Sequence, residues 1–187
     1  MIQAMAFNRT ARLAVVGFVV LQCVTGSAGR SAMSDWTPTI QALPTPDDAD
    51  SGQPQLSTSE RGVILSWIER QGPTATLKFA ERTSNGWSEP RVVASGDDWF
   101  VNWADVPSVV RLADGSLAAH WLQKSGPDTY AYDVRLSYSK DDGKTWSSSF
   151  TPHHDGTKTE HGFASLFQMP NAGLALAWLD GHLAAVD

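Results

Sequence analysis

Carboxylates and tryptophans are concentrated between residues 96 and 107, where Asp98 and Asp105 lie on either side of Trp99 and Trp103. An indole face can stack on a sugar ring, and a carboxylate can bind sugar hydroxyls or exchange a proton with a reacting bond. These types predict a carbohydrate site, with Asp105 as a catalytic candidate and the other three as substrate-binding candidates. The alternative is that the tryptophans cover a gap between structural repeats and the aspartates cap turns.

Two further side chains are candidates for the same site. Arg70 is the second catalytic candidate, because a guanidinium can hold an anionic ligand through paired hydrogen bonds; the alternative is a solvated arginine at a strand end. His161 is a substrate-binding candidate, because it lies just before the first strand of a predicted repeat. The His and Asp residues at 153–161 match no zinc spacing, so they predict a polar loop with no metal, and no cofactor is expected.

A repeated strand pattern must position these residues. Trp67, Trp121 and Trp178 each end a segment in which apolar residues alternate, and a turn precedes each segment. Alternation with a period of two is typical of β-strands. The predicted flanking strands are 54–58, 75–83 and one from Trp87; 107–112, 130–139 and one from Trp146; and 163–169. The pattern predicts an all-β protein of about two and a half four-stranded antiparallel meanders, the unit of a β-propeller blade, and a small β-sandwich is the alternative.

One predicted hairpin carries a motif formed by Ser139, Asp141, Gly143, Thr145 and Trp146. Glycine supplies a positive φ, aspartate accepts N–H groups of the turn, and tryptophan packs between strands. The motif resembles the Asp box of the sialidase (neuraminidase) superfamily, the BNR-repeat propellers. In that family it lies away from the active site, so these five residues are expected to be structural.

The resemblance covers about residues 54–181 and implies part of a six-bladed propeller with exo-sialidase-like glycosidase activity. In the family, three arginines hold the sugar carboxylate, an aspartate is the acid/base, and a Tyr–Glu pair supplies the nucleophile. Here Gly52 stands where the first arginine is expected, and 71–76 contains no carboxylate where the aspartate is expected. The tyrosine, the glutamate and the later arginine are expected beyond Asp187. The classical sialidase site is therefore expected to be incomplete in this chain.

The N-terminal residues resemble an export signal. Arg9 and Arg12 precede an apolar run at 13–20, and small residues ending at Ala28 fit a cleavage site. The expected organisation is a signal peptide at 1–28, a linker at 29–53 with a short strand at 39–43, and a partial propeller at 54–187. The protein is expected in the periplasm or outside the cell, and the alternatives to cleavage are lipidation at Cys23, an uncleaved N-terminal anchor and no export.

The net charge limits the classes of binding partner that are expected. The net charge is -6 and no basic cluster occurs, so neither nucleic acid nor a membrane, beyond an N-terminal anchor, is an expected partner. The function expected is an exported sialidase-like glycoside hydrolase family protein that acts on or recognises a glycan or small carbohydrate. The alternatives are a carbohydrate-binding propeller module without catalysis and a truncated inactive product. The sugar, the linkage and the oligomeric state stay open.

Overall fold

A computed structural model of the protein describes residues 2–6, 37–48, 50–170 and 173–182. All the regular structure in these ranges is β, in eleven strands that form three antiparallel sheets, and the all-β prediction is confirmed. The chain divides into two compact units, 9–44 and the remainder, and the sheets belong to the second. Among the described residues there is no helix with the length and apolarity needed to cross a bilayer.

The first sheet contains five strands. Their bounds are β2 Ser51–Ser59, β3 Gly62–Gln71, β4 Thr74–Thr83, β5 Gly86–Trp87 and β6 Arg91–Gly96. β2, β3 and β4 pair in chain order, and β4 then pairs with both β5 and β6. Gly62, Gly72 and Gly86 have positive φ at the tight turns between strands, a conformation that only glycine adopts without strain. β2 begins at Ser51, inside the stretch assigned to the linker.

The second and third sheets have three strands each. The second consists of β7 Ser108–Arg111, β8 Leu117–Lys124 and β9 Tyr132–Ser139, paired in that order. The third has the order β1-β11-β10, with β1 Ile2–Ala6, β10 His161–Gln168 and β11 Leu174–Asp180. β1 comes from the stretch predicted as a signal peptide and pairs with Ala175–Leu179. The apolar run at 13–20, Cys23 and Ala28 lie outside the described residues.

Two predicted strands are wrong. The strand expected from Trp146 is reduced to a single bridge between Leu136 and Phe150. The ladder does not extend toward Trp146, because the Tyr138 N–H donates to the Ser147 hydroxyl at 3.1 Å where a strand would supply a backbone carbonyl. The strand expected at 39–43 is absent, because prolines precede and follow this segment and cannot donate to a ladder.

The second sheet lies between two hydrophobic clusters. β8 is buried along six consecutive residues, and its side chains alternate between the two sides of the sheet. Leu117 and Trp121 pack with residues of the first sheet, whereas Leu122 packs with residues of the third. The first strands are β2, β7 and β10, of which β7 adjoins both of the others, and the Ser57 hydroxyl of β2 donates to the Val109 carbonyl of β7 at 2.6 Å.

The Asp-box loop, residues 139–146, is held by its own side chains. The Ser139 hydroxyl donates to Asp141 at 2.8 Å and accepts the Gly143 N–H at 2.9 Å. Asp141 also accepts the Thr145 hydroxyl at 2.6 Å and its N–H at 2.9 Å. The bonds from Thr145, followed by the bond from Ser139, lower the pKa of Asp141 to about 2.

The Asp-box loop also packs on the first sheet. The Trp146 ring meets the Phe79 ring of β4 edge to face, with centroids 6.2 Å apart. Arg91 of β6 donates to the Asp142 carbonyl at 2.6 Å. Gly143 lies against Phe79, where a Cβ would be 2.5 Å from the ring. The loop therefore joins two sheets as well as closing its own hairpin.

A buried arginine completes this junction. Arg111, at the end of β7, is only 2% exposed. Its guanidinium contacts Glu81 of β4 at 2.8 Å and Asp142 of the Asp-box loop at 2.9 Å. It also donates to the Gly115 carbonyl at 2.6 Å. One cation thus links the first sheet, the second sheet and the loop.

Candidate functional site

β2 and β10 both carry a β-bulge at the third residue of the strand. The register shifts between Gly52 and Gln55 in β2, and between Gly162 and Ser165 in β10. Gln53 has φ 51° and Phe163 has φ 49°, which is the left-handed region. A residue other than glycine pays roughly 1–3 kcal/mol in a sparsely populated conformation, and such strain and bulges concentrate beside functional sites. This end of the first strands is therefore the candidate site.

A cavity of about 350 Å³ opens between the first strands of the three sheets. We call it the inner-strand cavity. Its wall consists of Gln55, Ala104, Val106, Ser108, His120, Phe163, Ala164, Ser165 and Leu166. The polar side chains in this wall are an amide, two hydroxyls and the imidazole of His120, and none is a carboxylate, an ammonium or a guanidinium. Groups of this kind suit a ligand rich in hydroxyl groups better than a strongly charged one.

His120 forms the buried floor of the cavity. Its Nδ1 lies 3.0 Å from the Ser108 hydroxyl, and the ring also bonds to the backbone of Ala164. Burial lowers the pKa of His120 to about 4, although the bond to Ala164 opposes the shift. The ring is therefore neutral at pH 7, with one nitrogen that donates and one that accepts.

This burial predicts a pH dependence of folding. Below pH 6.5 the unfolded chain protonates His120, whereas the folded protein does not until about pH 4. Stability should therefore fall as the pH is lowered through this window, by at most about 1.4 kcal/mol per pH unit. Urea unfolding at pH 7, 6 and 5 should show a smaller loss for His120→Gln than for the wild type. The other histidines are common to both proteins, so equal slopes would contradict the prediction.

Asp105, a predicted catalytic residue, lies behind the wall of the cavity and is 5% exposed. One carboxylate oxygen accepts the Phe163 N–H at 2.5 Å, and the other accepts the Asn102 amide at 2.6 Å. Asn102 in turn accepts the N–H groups of Ala104 and Asp105 at 2.6 and 2.9 Å. Asp105 therefore fastens the strained bulge of β10 to the segment before β7.

Tyr132 and Glu160 form a pair beside Asp105 that sequence reasoning missed. The Tyr132 hydroxyl donates to Glu160 at 2.6 Å, and the tyrosine is 1% exposed. Burial, then the bond to Glu160 and the nearby charge of Asp105, raise the pKa of Tyr132. A Cβ on Gly162 would lie 2.8 Å from this hydroxyl, so the backbone of β10 closes over it. A covered, protonated tyrosine is a hydrogen-bond donor and not a nucleophile.

The Tyr132–Glu160 pair forms because the end of the second sheet approaches the start of β10, as a parallel bridge between these two residues shows. No local signal could have found it, since 28 residues separate the partners.

Two other sequence candidates lie at the same end of the strands. Arg70 donates to the Gln53 side chain at 3.3 Å and lies against Gly52, so it supports the bulge of β2. Its side-chain contacts within the described chain do not include Asp105. Trp103 is 90% exposed and directly precedes Ala104 in the cavity wall. Trp103 is thus the candidate aromatic that a ligand can reach.

The remaining candidates lie away from the inner-strand cavity. Trp99 stacks on Trp121, with centroids 5.2 Å apart, and packs against the core between the first two sheets. Asp98 accepts the Gln123 amide at 2.7 Å. His161 is 0% exposed and faces a group of His and Asp residues behind β10.

Comparison with known proteins gives a distant structural likeness. Neither a protein-family model nor a curated protein matches the chain. Among solved structures, an endo-arabinase from Bacteroides thetaiotaomicron VPI-5482 matches with a TM-score of 0.51 and 15% sequence identity. The match covers 71% of this chain and 52% of the endo-arabinase, so the chain spans about half the length of that protein. At this identity the likeness concerns the fold alone.

Proposed function

We propose that this chain is the carbohydrate-binding part of an exported, sialidase-like glycoside hydrolase family protein with a β-propeller fold. The observation that carries the proposal is the inner-strand cavity, which is lined by uncharged polar groups and bordered by strained bulges. The Asp-box motif and the adjoining first strands of three antiparallel sheets support the propeller and the family. The likeness to an endo-arabinase supports a glycan as the ligand class.

The cavity has the chemistry and size for one or two sugar rings. Its volume of about 350 Å³ lies within the usual range for small-molecule sites. Gln55, Ser108 and Ser165 line it and offer donors and acceptors to sugar hydroxyls. Trp103 and Phe163 expose aromatic rings at the same end of the strands, and such rings stack on the apolar face of a sugar.

Hydrolysis by this chain is the second candidate function. The grouping of Asp105, Tyr132 and Glu160 favours it, because glycoside hydrolysis requires paired acidic groups. Binding is the preferred proposal, because Asp105 and Tyr132 are buried and already paired within the protein. We assign them to positioning β10, whose Phe163 lines the cavity.

Trp103→Ala is expected to weaken glycan binding about tenfold, which corresponds to the loss of roughly 1.4 kcal/mol of stacking. Trp103→Phe keeps a flat ring and should retain most of the affinity. The ligand is first selected on a glycan array that includes sialosides and arabino-oligosaccharides, and affinities are then measured by calorimetry on the full chain. Circular dichroism checks that both variants fold.

The outcomes separate the two functions. Wild-type protein that binds no glycan, or equal affinities of Trp103→Ala and wild type, would overturn the proposed site. Turnover of a fluorogenic sialoside or arabinoside that is lost in Glu160→Gln would favour the hydrolase alternative. Binding without turnover would favour the binding module.

A further inference from the structure

One carboxylate oxygen and two imidazole nitrogens lie close together beside β10, and none of the three has a hydrogen-bond partner among the described residues. They are Oδ1 of Asp133 on β9, Nε2 of His153 in the β9–β10 connection, and Nδ1 of His161 on β10. Each is buried. Oδ1 lies 3.7 Å from the His153 nitrogen and 3.4 Å from the His161 nitrogen. An unpaired buried polar atom costs roughly 1–3 kcal/mol, so three in one place require a compensating partner.

A fourth residue fixes the protons on both imidazoles. One oxygen of Asp155 lies 3.1 Å from Nδ1 of His153 and 3.2 Å from Nε2 of His161. A carboxylate only accepts hydrogen bonds, so the two ring nitrogens that face Asp155, the outer ones, carry the hydrogens. A neutral ring then has its lone pair on its other nitrogen, the inner one, which faces Asp133. Asp155 is itself held by the N–H and hydroxyl of Thr157.

The inner atoms are consequently three acceptors that face one another. Two lone pairs and a carboxylate oxygen repel one another, and a cation that binds all three removes this repulsion. The arrangement in which a carboxylate holds the outer N–H of a histidine is the usual support of a metal-binding histidine.

We propose that Asp133, His153 and His161 bind one divalent transition-metal ion. Two imidazole nitrogens and one carboxylate oxygen form a donor set that suits Zn²⁺ and its neighbours in the first transition series. The three donor atoms lie within 4.8 Å of one another, so small side-chain movements can place them around one ion. The site does not depend on the proposed glycan function.

The site has an open side. A cavity of about 360 Å³ borders it and is lined by Asp133 and His153, together with Ser125, Thr151, His154, Gly156, Thr157 and Lys158. With three protein ligands, a fourth position facing this cavity is available to water or to an exogenous ligand. The ion can therefore exchange with solvent.

Binding requires one rearrangement. The His153 and His161 rings are stacked 3.8 Å apart at 8°, so an ion between their nitrogens would lie out of both ring planes. The rings must tilt apart for their lone pairs to meet at one point. His153 is the ring free to move, because it borders the cavity, whereas His161 is fully buried.

The test measures metal directly on the full chain without an affinity tag. After chelator treatment and dialysis against Zn²⁺, elemental analysis should find about one ion per chain, and Co²⁺ should give the visible absorption of a site with nitrogen ligands. Asp133→Asn and His153→Ala should lower the affinity at least tenfold. Asp155→Asn should lower it about 10–100-fold through the loss of orientation.

His154→Ala is the matched control, because this histidine is the exposed neighbour of His153 and is not among the three ligands. It should bind as the wild type does. The proposal is overturned if the wild type retains no stoichiometric metal, or if binding survives in both Asp133→Asn and His153→Ala. A rise in the melting temperature with Zn²⁺, seen in wild type and absent in a folded Asp133→Asn, gives a second readout.

Discussion

Gly143→Ala is expected to destabilise the protein by roughly 2–4 kcal/mol, measured by urea unfolding. The residue has φ 80°, which disfavours any side chain. A Cβ would also lie 2.5 Å from Cζ and 2.8 Å from Cε1 of Phe79, so either the loop or the ring must move. The first cost is local to the loop backbone, and the second falls on the contact between the Asp-box loop and the first sheet.

Gly115→Ala separates the two costs. Gly115 has a similar φ of 87°, but a Cβ there meets no atom within 4 Å. Its substitution should cost about 1–2 kcal/mol, from the backbone conformation alone. The difference in unfolding free energy lost between Gly143→Ala and Gly115→Ala then measures the clash with Phe79. The double variant Gly143→Ala/Phe79→Ala should lose less stability than the sum of the losses of the two single variants, because Phe79→Ala removes the ring that the new Cβ meets. Losses that simply add would show that the clash is absent.

Arg111→Met is expected to cost about 3 kcal/mol. Removing one partner of a buried ion pair leaves the other charge uncompensated, which typically costs 3–5 kcal/mol. The expected value lies at the lower end because Glu81 keeps its contact with Arg91 at 3.1 Å, and Asp142 keeps its contact with Arg61 at 2.9 Å. Methionine preserves much of the buried volume, so the loss reports mainly the charge and its hydrogen bonds.

Arg61→Met is the matched control for Arg111→Met. Both arginines contact the same oxygen of Asp142 at 2.9 Å, but the side chain of Arg61 is half exposed. An exposed pair contributes about 0–1 kcal/mol and weakens further in salt. Equal losses for the two variants in urea unfolding would contradict the assignment of Arg111 as the buried link between sheets.

The strands were predictable where the pattern is local. Trp67, Trp121 and Trp178 end alternating segments, and all three lie in β-strands that face hydrophobic clusters. Alternation reports burial on one face and requires no knowledge of distant residues. The strand from Trp146 was predicted wrongly because the Ser147 side chain, and not a backbone carbonyl, accepts the Tyr138 N–H that a strand would need.

The candidate site was predictable only in part. The repeat pattern predicted that Asp105 and Trp103 lie just before a first strand. Residue type alone cannot distinguish Trp103, which is exposed, from Trp99, which stacks on Trp121. The burial of Asp105 depends on Phe163, which is 58 residues away along the chain. The His and Asp cluster fits no motif because β9, a loop and β10 each supply one residue, and only their packing brings the three together.

During synthesis, the first sheet leaves the ribosome before the Asp-box loop that contacts it. Until residues 139–146 emerge, the ring of Phe79 lacks its contact with Trp146, and Arg91 lacks its acceptor, the Asp142 carbonyl. Transiently exposed apolar surface and unpaired strand edges favour aggregation, so this interval is the one in which a nascent chain most needs a chaperone. Chains stalled while residues 139–146 are still inside the ribosome should therefore stay bound to chaperone, whereas chains stalled after these residues have emerged should be released.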